Sequence, residues 1–232
     1  MSNNHNSKVS HERIETNNGL MIVLILVVLL FGGLVEIVPL FFQKSTTEPV
    51  KGLKPYTALQ LAGRDIYQRE GCYNCHSQMI RPFRAETLRY GPYSVAGEFV
   101  YDHPFQWGSK RTGPDLARVG GKYPDSWHFN HMYDPTSMVP GSIMPSYPFM
   151  FENELNIGTT NSKIHAMRKM GVPYPNGYEA IANDDLKKQA EAIAANLKNE
   201  KIEIPADREI IALIAYLQRL GTDIKVKAAT TK

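Results

Sequence analysis

The 232-residue chain has only two cysteines, and they lie three apart in Cys72-Tyr73-Asn74-Cys75-His76. Two thiols at that spacing can add to the two vinyl groups of one haem, and the adjacent imidazole is then placed to bind the iron axially. Two other readings use the same residues. A bare Cys-x-x-Cys could be a thiol–disulfide redox pair, but that leaves His76 without a role and lacks the preceding strand that a thioredoxin-like fold supplies. A zinc site would need further ligands from His103, His128, His131 or His165, whose spacing matches no zinc pattern. The residues therefore point to one covalently attached haem c.

The elements that must position this motif follow from periodicity and punctuation. Thr57 to Glu70 places Leu59, Ala62 and Ile66 at helical spacing behind an N-capping threonine, and Gly71 stops that helix directly before Cys72. Nine of the fifteen prolines fall between Arg81 and Pro148, and thirteen of the twenty-three aromatics between Tyr90 and Phe151. So many prolines exclude long regular elements there. An irregular stretch of that length either wraps something or presents a surface. Asn183 is expected to cap a helix reaching about Lys198, and a last helix is expected from about Asp207 to Leu220, ending at Gly221.

Leu20 to Val35 contains no polar side chain, and the apolar run continues to Phe42 with Glu36 as its only interruption. Twenty-three helical residues rise about 35 Å, enough to cross a hydrocarbon core of about 30 Å. The run is too long for a signal peptide and is followed by Gln43, Lys44 and Ser45 rather than by small residues, so it reads as an uncleaved anchor. Gly32 and Glu36 share one helical face, which suits packing against a larger membrane partner. The expected organisation is a disordered tail (1–18), an anchor (19–42), a polar linker (43–54), one haem domain (55–221) and a C-terminal tail (222–232).

Composition limits the partners. With 26 Lys+Arg against 23 Asp+Glu and 43% hydrophobic residues, the chain is neither a nucleic-acid-binding tail nor a disordered polyampholyte. Beyond residue 54 the charges nearly cancel, although seven of the eleven arginines crowd between Arg64 and Arg118. Burying two haem propionates requires charge-assisted partners. Arg81, Arg84, Arg111 and Arg118 flank the candidate haem segments, and at least one of them is expected to bind a propionate.

Gly113-Pro114-Asp115-Leu116 and the terminal Leu213-Ile214-Ala215-Tyr216-Leu217-Gln218-Arg219-Leu220-Gly221 resemble segments of class I cytochromes c. The resemblance implies that the Pro114 carbonyl accepts the Nδ1–H of His76, and that the last helix crosses the first, with Gly63 admitting Tyr216. It also favours Met144 as sixth ligand, on the loop Ser142-Ile143-Met144-Pro145-Ser146-Tyr147-Pro148, which two prolines stiffen. Met132, Met138 and Met150 remain alternatives, as do His128 and His131, which would lower the reduction potential.

Met144 lies 68 positions beyond His76, farther than in compact members of that class. With the anchor, and with Arg81-Pro82-Phe83, Gly91-Pro92-Tyr93-Ser94, the stretch from Trp107 to Leu116, Trp127-His128-Phe129 and the stretch from Pro140 to Tyr147, the chain closely resembles the monohaem subunit of cbb3-type cytochrome c oxidase. That resemblance implies a mainly α fold: one transmembrane helix plus a class I cytochrome c domain with a long loop-rich insertion. It implies an electron relay with no catalytic centre of its own, working beside a catalytic haem–copper subunit and a dihaem cytochrome c subunit. Because haem c is attached on the outer side of the bacterial cytoplasmic membrane, the domain is expected in the periplasm. A monohaem subunit of a nitric-oxide reductase-type complex and a membrane-anchored thiol–disulfide oxidoreductase are the alternative functions.

Overall fold

In the computed structural model residues 11–224 are described. They are mainly helical, and the one β feature among them is an isolated bridge between Glu154 and Arg208. The chain divides into two compact units at Glu48–Pro49.

The first unit holds α1 (His11–Glu15), α2 (Asn18–Ile37) and a single turn, α3 (Lys44–Thr47). Residues 11–15 are thus helical where the sequence reading has a disordered tail; the rest of that tail, 1–10, lies outside the described residues. Asn17 caps α2 by accepting from the Leu20 N–H at 3.0 Å. After Ile37 the chain tightens into a 3₁₀ segment, Val38–Phe42, because Pro39 has no N–H to continue the α ladder. Together Asn18–Phe42 is long and apolar enough to cross a membrane.

The second unit is built on α4 (Ala58–Arg69) and α11 (Glu209–Arg219). Thr57 and Gln60 form a reciprocal capping box at the start of α4. Every residue of α11 from Glu209 to Leu217 is buried. The two helices cross at Gly63, where a Cβ would stand 1.9 Å from the Ala212 carbonyl oxygen. Leu59, Ile66, Tyr67, Leu213, Ile214 and Tyr216 fill this crossing. Between them come α5 (Arg84–Tyr90), α6 (Asp125–Tyr133), two single turns, α7 (Pro135–Met138) and α8 (Phe149–Glu152), then α9 (Thr160–Lys169) and α10 (Tyr178–Asn199).

Two expected helix starts are corrected. Helix α10 begins at Tyr178, five residues before Asn183, because Gly177 takes a left-handed conformation (φ 80°) that turns the chain into the helix. The Tyr178 hydroxyl bridges the Ala58 N–H and the Asp185 carboxylate, so tertiary contacts hold that first turn to α4. Helix α11 begins at Glu209, whose carboxylate takes both terminal nitrogens of Arg69 at 2.7 Å. The second unit also takes in residues that the sequence reading leaves outside the domain. Val50 donates to the Gly97 carbonyl, and the Asp223 carboxylate accepts from the Lys54 N–H and from Arg219. Residues 225–232 of the expected C-terminal tail lie outside the described residues.

Candidate haem site

Helix α4 ends at Arg69 with Glu70 as its C-cap, and Gly71, at φ 67°, reverses the chain into a 3₁₀ turn over Cys72–Asn74. The His76 N–H donates to the Cys72 carbonyl at 2.9 Å, which folds both cysteines and the histidine into one turn at the helix end. Both thiols are free; Cys72 is half-buried and Cys75 exposed. Burial, reinforced by the Glu70 charge, pushes the Cys72 thiol up to about 12. A nucleophilic redox cysteine needs the opposite shift, so Cys72 lacks the surroundings of an attacking thiol.

His76 is held on two sides. Its Nδ1 lies 2.8 Å from the Pro114 carbonyl oxygen. A carbonyl only accepts, so Nδ1 carries the proton and Nε2 keeps its lone pair for a metal. On the other side, a Cβ at Gly113 would come within 2.2 Å of the ring carbon Cε1. The loop carrying both residues is stapled to the motif by Gly113 N–H to the Cys75 carbonyl (2.9 Å) and Leu116 N–H to the Ser77 carbonyl (2.8 Å).

Met144 is half-buried against the hydrophobic core while Ile143 beside it is exposed. Its loop is anchored at the far end by the Tyr147 N–H donating to the Met132 carbonyl. Burial raises the Tyr147 phenol, with the Cys72 and Cys75 charges the next contributors. Of the alternative methionines, Met132 and Met150 are buried core residues and Met138 is half-buried on α7. His128 is fully buried, and burial brings it down to about 4. His131, stacked on Trp127 at 4.5 Å, is lowered by burial and then by the charge of His76, so it too borders the site.

Three of the four arginines have protein partners. Arg111 spans Glu86 (2.7 Å), Ser77 Oγ (2.6 Å) and the Met79 carbonyl (2.8 Å). Arg81 shares Glu86, whose carboxyl is pulled down to about 2, by Arg111 first and against the opposing effect of burial. Arg118 makes a bidentate pair with Glu98, both side chains 7% exposed. Arg84 is exposed and makes no side-chain ion pair among the described residues. Glu86 and Glu98, which hold these arginines, are not legible as site residues in the sequence, since each pairing spans loops whose approach no local pattern encodes.

The residues present fit a haem. Trp107, whose carbonyl accepts the Gln78 N–H two residues past His76, has a buried Nε1–H with no acceptor, and His131 has an unpartnered buried Nδ1. Buried polar groups are normally satisfied, and a group bearing carboxylates supplies acceptors. Paired thiols, an oriented imidazole lone pair and an adjacent thioether loop complete the donor set.

A domain of crossed helices with Cys-x-x-Cys-His at the end of the first, carried behind an apolar helix, is the arrangement of a cytochrome subunit. The chain matches the family described as cytochrome c oxidase, mono-heme subunit/FixO over residues 11–224, and it belongs to that family. No individual curated protein matches it in sequence.

Proposed function

We propose that this protein is the membrane-anchored monohaem relay of a cbb3-type cytochrome c oxidase. In this reading it passes electrons to a membrane-embedded haem–copper subunit and receives them from a dihaem cytochrome c subunit or a soluble donor. The observation that carries the proposal is the 2.8 Å contact between His76 Nδ1 and the Pro114 carbonyl, beside two free cysteines on the same turn. That contact leaves Nε2 as a ligand atom of fixed direction.

Cys72 and Cys75 would hold the haem through thioethers, and His76 and Met144 would bind its iron. When bound, the group would supply a one-electron ferric–ferrous couple. Of the four arginines, Arg84 is the one whose charge is available to a propionate; Arg81, Arg111 and Arg118 support the loops around the site. Covalent attachment outside the cytoplasmic membrane places the second unit in the periplasm and makes α2 a single-pass inner-membrane anchor. The family match favours an oxidase over a nitric-oxide reductase partner.

The test is a haem stain of the full-length protein on a denaturing gel, followed by spectra and metal content of the complex that co-purifies with it. Covalent haem with copper and oxygen consumption is the expected result. No stain, together with two titratable thiols, would overturn the haem reading. Non-haem iron with nitric-oxide consumption would replace the oxidase.

A further inference from the structure

The residue after Pro114 is Asp115, whose side chain is completely buried. Its carboxylate accepts four hydrogen bonds. At Oδ2 the donors are the Ser77 hydroxyl (2.7 Å), the Met79 N–H (2.9 Å) and Arg111 Nη2 (3.3 Å); at Oδ1 the donor is the Ala117 N–H (2.8 Å). Three of these donors come from the motif side or lock onto it. Ser77 and Met79 lie one and three residues after His76, and Arg111 also bonds Ser77 Oγ and the Met79 carbonyl. Glu86 holds Arg111 from behind.

We infer that Asp115 is a positioning residue for the haem iron: it clamps residues 113–116 onto residues 75–79 and so keeps the Pro114 carbonyl on the His76 Nδ1–H. This rests on the proposed haem function and extends it to a residue one shell behind the ligand. The two backbone staples, Gly113 to Cys75 and Leu116 to Ser77, flank Pro114, and Asp115 adjoins it and ties the peptide both to Ser77 and Met79 and to Ala117. The clamp has an electronic consequence. A firm Nδ1–H···O=C bond makes the imidazole a stronger donor and favours ferric iron. Loosening it shifts the equilibrium toward ferrous iron.

The clamp also needs a carboxylate. An amide keeps one acceptor oxygen, so in Asp115→Asn either the Ala117 N–H or the three donors at Oδ2 would face an NH₂ group, and Arg111 would lose a counter-charge.

The experiment compares wild type, Asp115→Asn, Ser77→Ala and a control, Arg168→Gln, which breaks an ion pair between α9 and α10 away from this loop. Three quantities are read on the full-length protein: the midpoint potential of the bound haem, the NMR position of the His76 Nδ1–H proton in the ferrous state, and amide exchange at Gly113 and Leu116. Asp115→Asn should move the ferric–ferrous equilibrium about threefold or more toward ferrous iron, close to 30 mV at 59 mV per tenfold. The ring proton should move with it, and both amides should exchange about tenfold faster, while the control changes none of these. An unchanged potential and ring proton in folded Asp115→Asn would overturn the inference, as would an equal shift in the control. If Asp115→Asn does not accumulate, Ser77→Ala decides by the same criteria. If wild type carries no haem but Asp115→Asn still speeds exchange at Gly113 and Leu116, the haem function fails while the clamp stands.

Discussion

Gly63 of α4 and Ala212 of α11 meet backbone to backbone: a Cβ on Gly63 would lie 1.9 Å from the Ala212 carbonyl oxygen and 2.9 Å from the Tyr216 Cβ. Neither backbone can yield without opening the core, because Leu213, Ile214 and Tyr216 are fully buried on the same helix. Gly63→Ala is therefore expected to destabilise the second unit by about 3 kcal/mol, an overpacking cost with no flexible side chain to absorb it. Denaturant unfolding of the full chain in detergent, followed by near-ultraviolet circular dichroism, measures this. A loss below about 0.5 kcal/mol would mean that the helices cross elsewhere.

Replacing both Cys72 and Cys75 with Ala should abolish covalent haem staining, because no other thiol exists in the chain. His76→Ala should retain thioether-linked haem but lose low-spin axial ligation. Staining of the double variant at the wild-type level would refute the attachment scheme.

Met144→His should keep six-coordinate iron and lower the midpoint potential by more than about 59 mV, tenfold in a one-electron equilibrium, since imidazole favours ferric iron more than thioether does. Potentiometric titration reads this directly. An unaltered potential would transfer the sixth position to Met138, which unlike Met132 and Met150 is not withdrawn into the core, or to His131.

The arginines should separate into two groups. Arg118→Ala leaves Glu98 buried without its bidentate partner and is expected to cost about 3–5 kcal/mol of stability. Arg84→Ala removes an exposed side chain and should change stability by less than about 0.5 kcal/mol, while shifting the haem potential if its charge faces a propionate. Equal effects of the two substitutions on unfolding would contradict the pairings described above.

Burial lowers His128 from 6.5 to about 4, with His131 adding to the shift and Asp125 opposing it. Between those two values the unfolded chain binds the proton and the folded one does not. His128 therefore stabilises the fold above pH 6.5, and that contribution is lost as pH falls toward 4, on the order of 3 kcal/mol in all. Unfolding free energies of wild type and His128→Phe, compared at pH 7 and pH 4.5, should differ in slope. Parallel pH profiles would show that His128 is solvated.

What the sequence determines by itself is what depends on neighbours along the chain. The spacing of Cys72, Cys75 and His76 places them on one turn whatever surrounds it. Thr57 and Gly71 bound α4 because a cap and a left-handed exit are local. The run from Leu20 to Phe42 is a long apolar helix by composition alone, broken into a 3₁₀ segment where Pro39 removes a donor.

The tertiary structure decides what depends on residues far apart in sequence. Four arginines near the motif look equivalent as letters; only the folded loops give Arg111 to Glu86 and Arg118 to Glu98 and leave Arg84 exposed. Asn183 has the chemistry of a cap, yet α10 starts at Tyr178, because its hydroxyl reaches Ala58 and Asp185 and stabilises an earlier turn. Among nine methionines, Met132 and Met150 are withdrawn into the core, while Met144 is left half-buried on its loop. The physical reason is shared. Burial and ion pairing are set by which surfaces the crossing of α4 and α11 brings together, and that crossing is made by contacts nearly 150 residues apart in the chain.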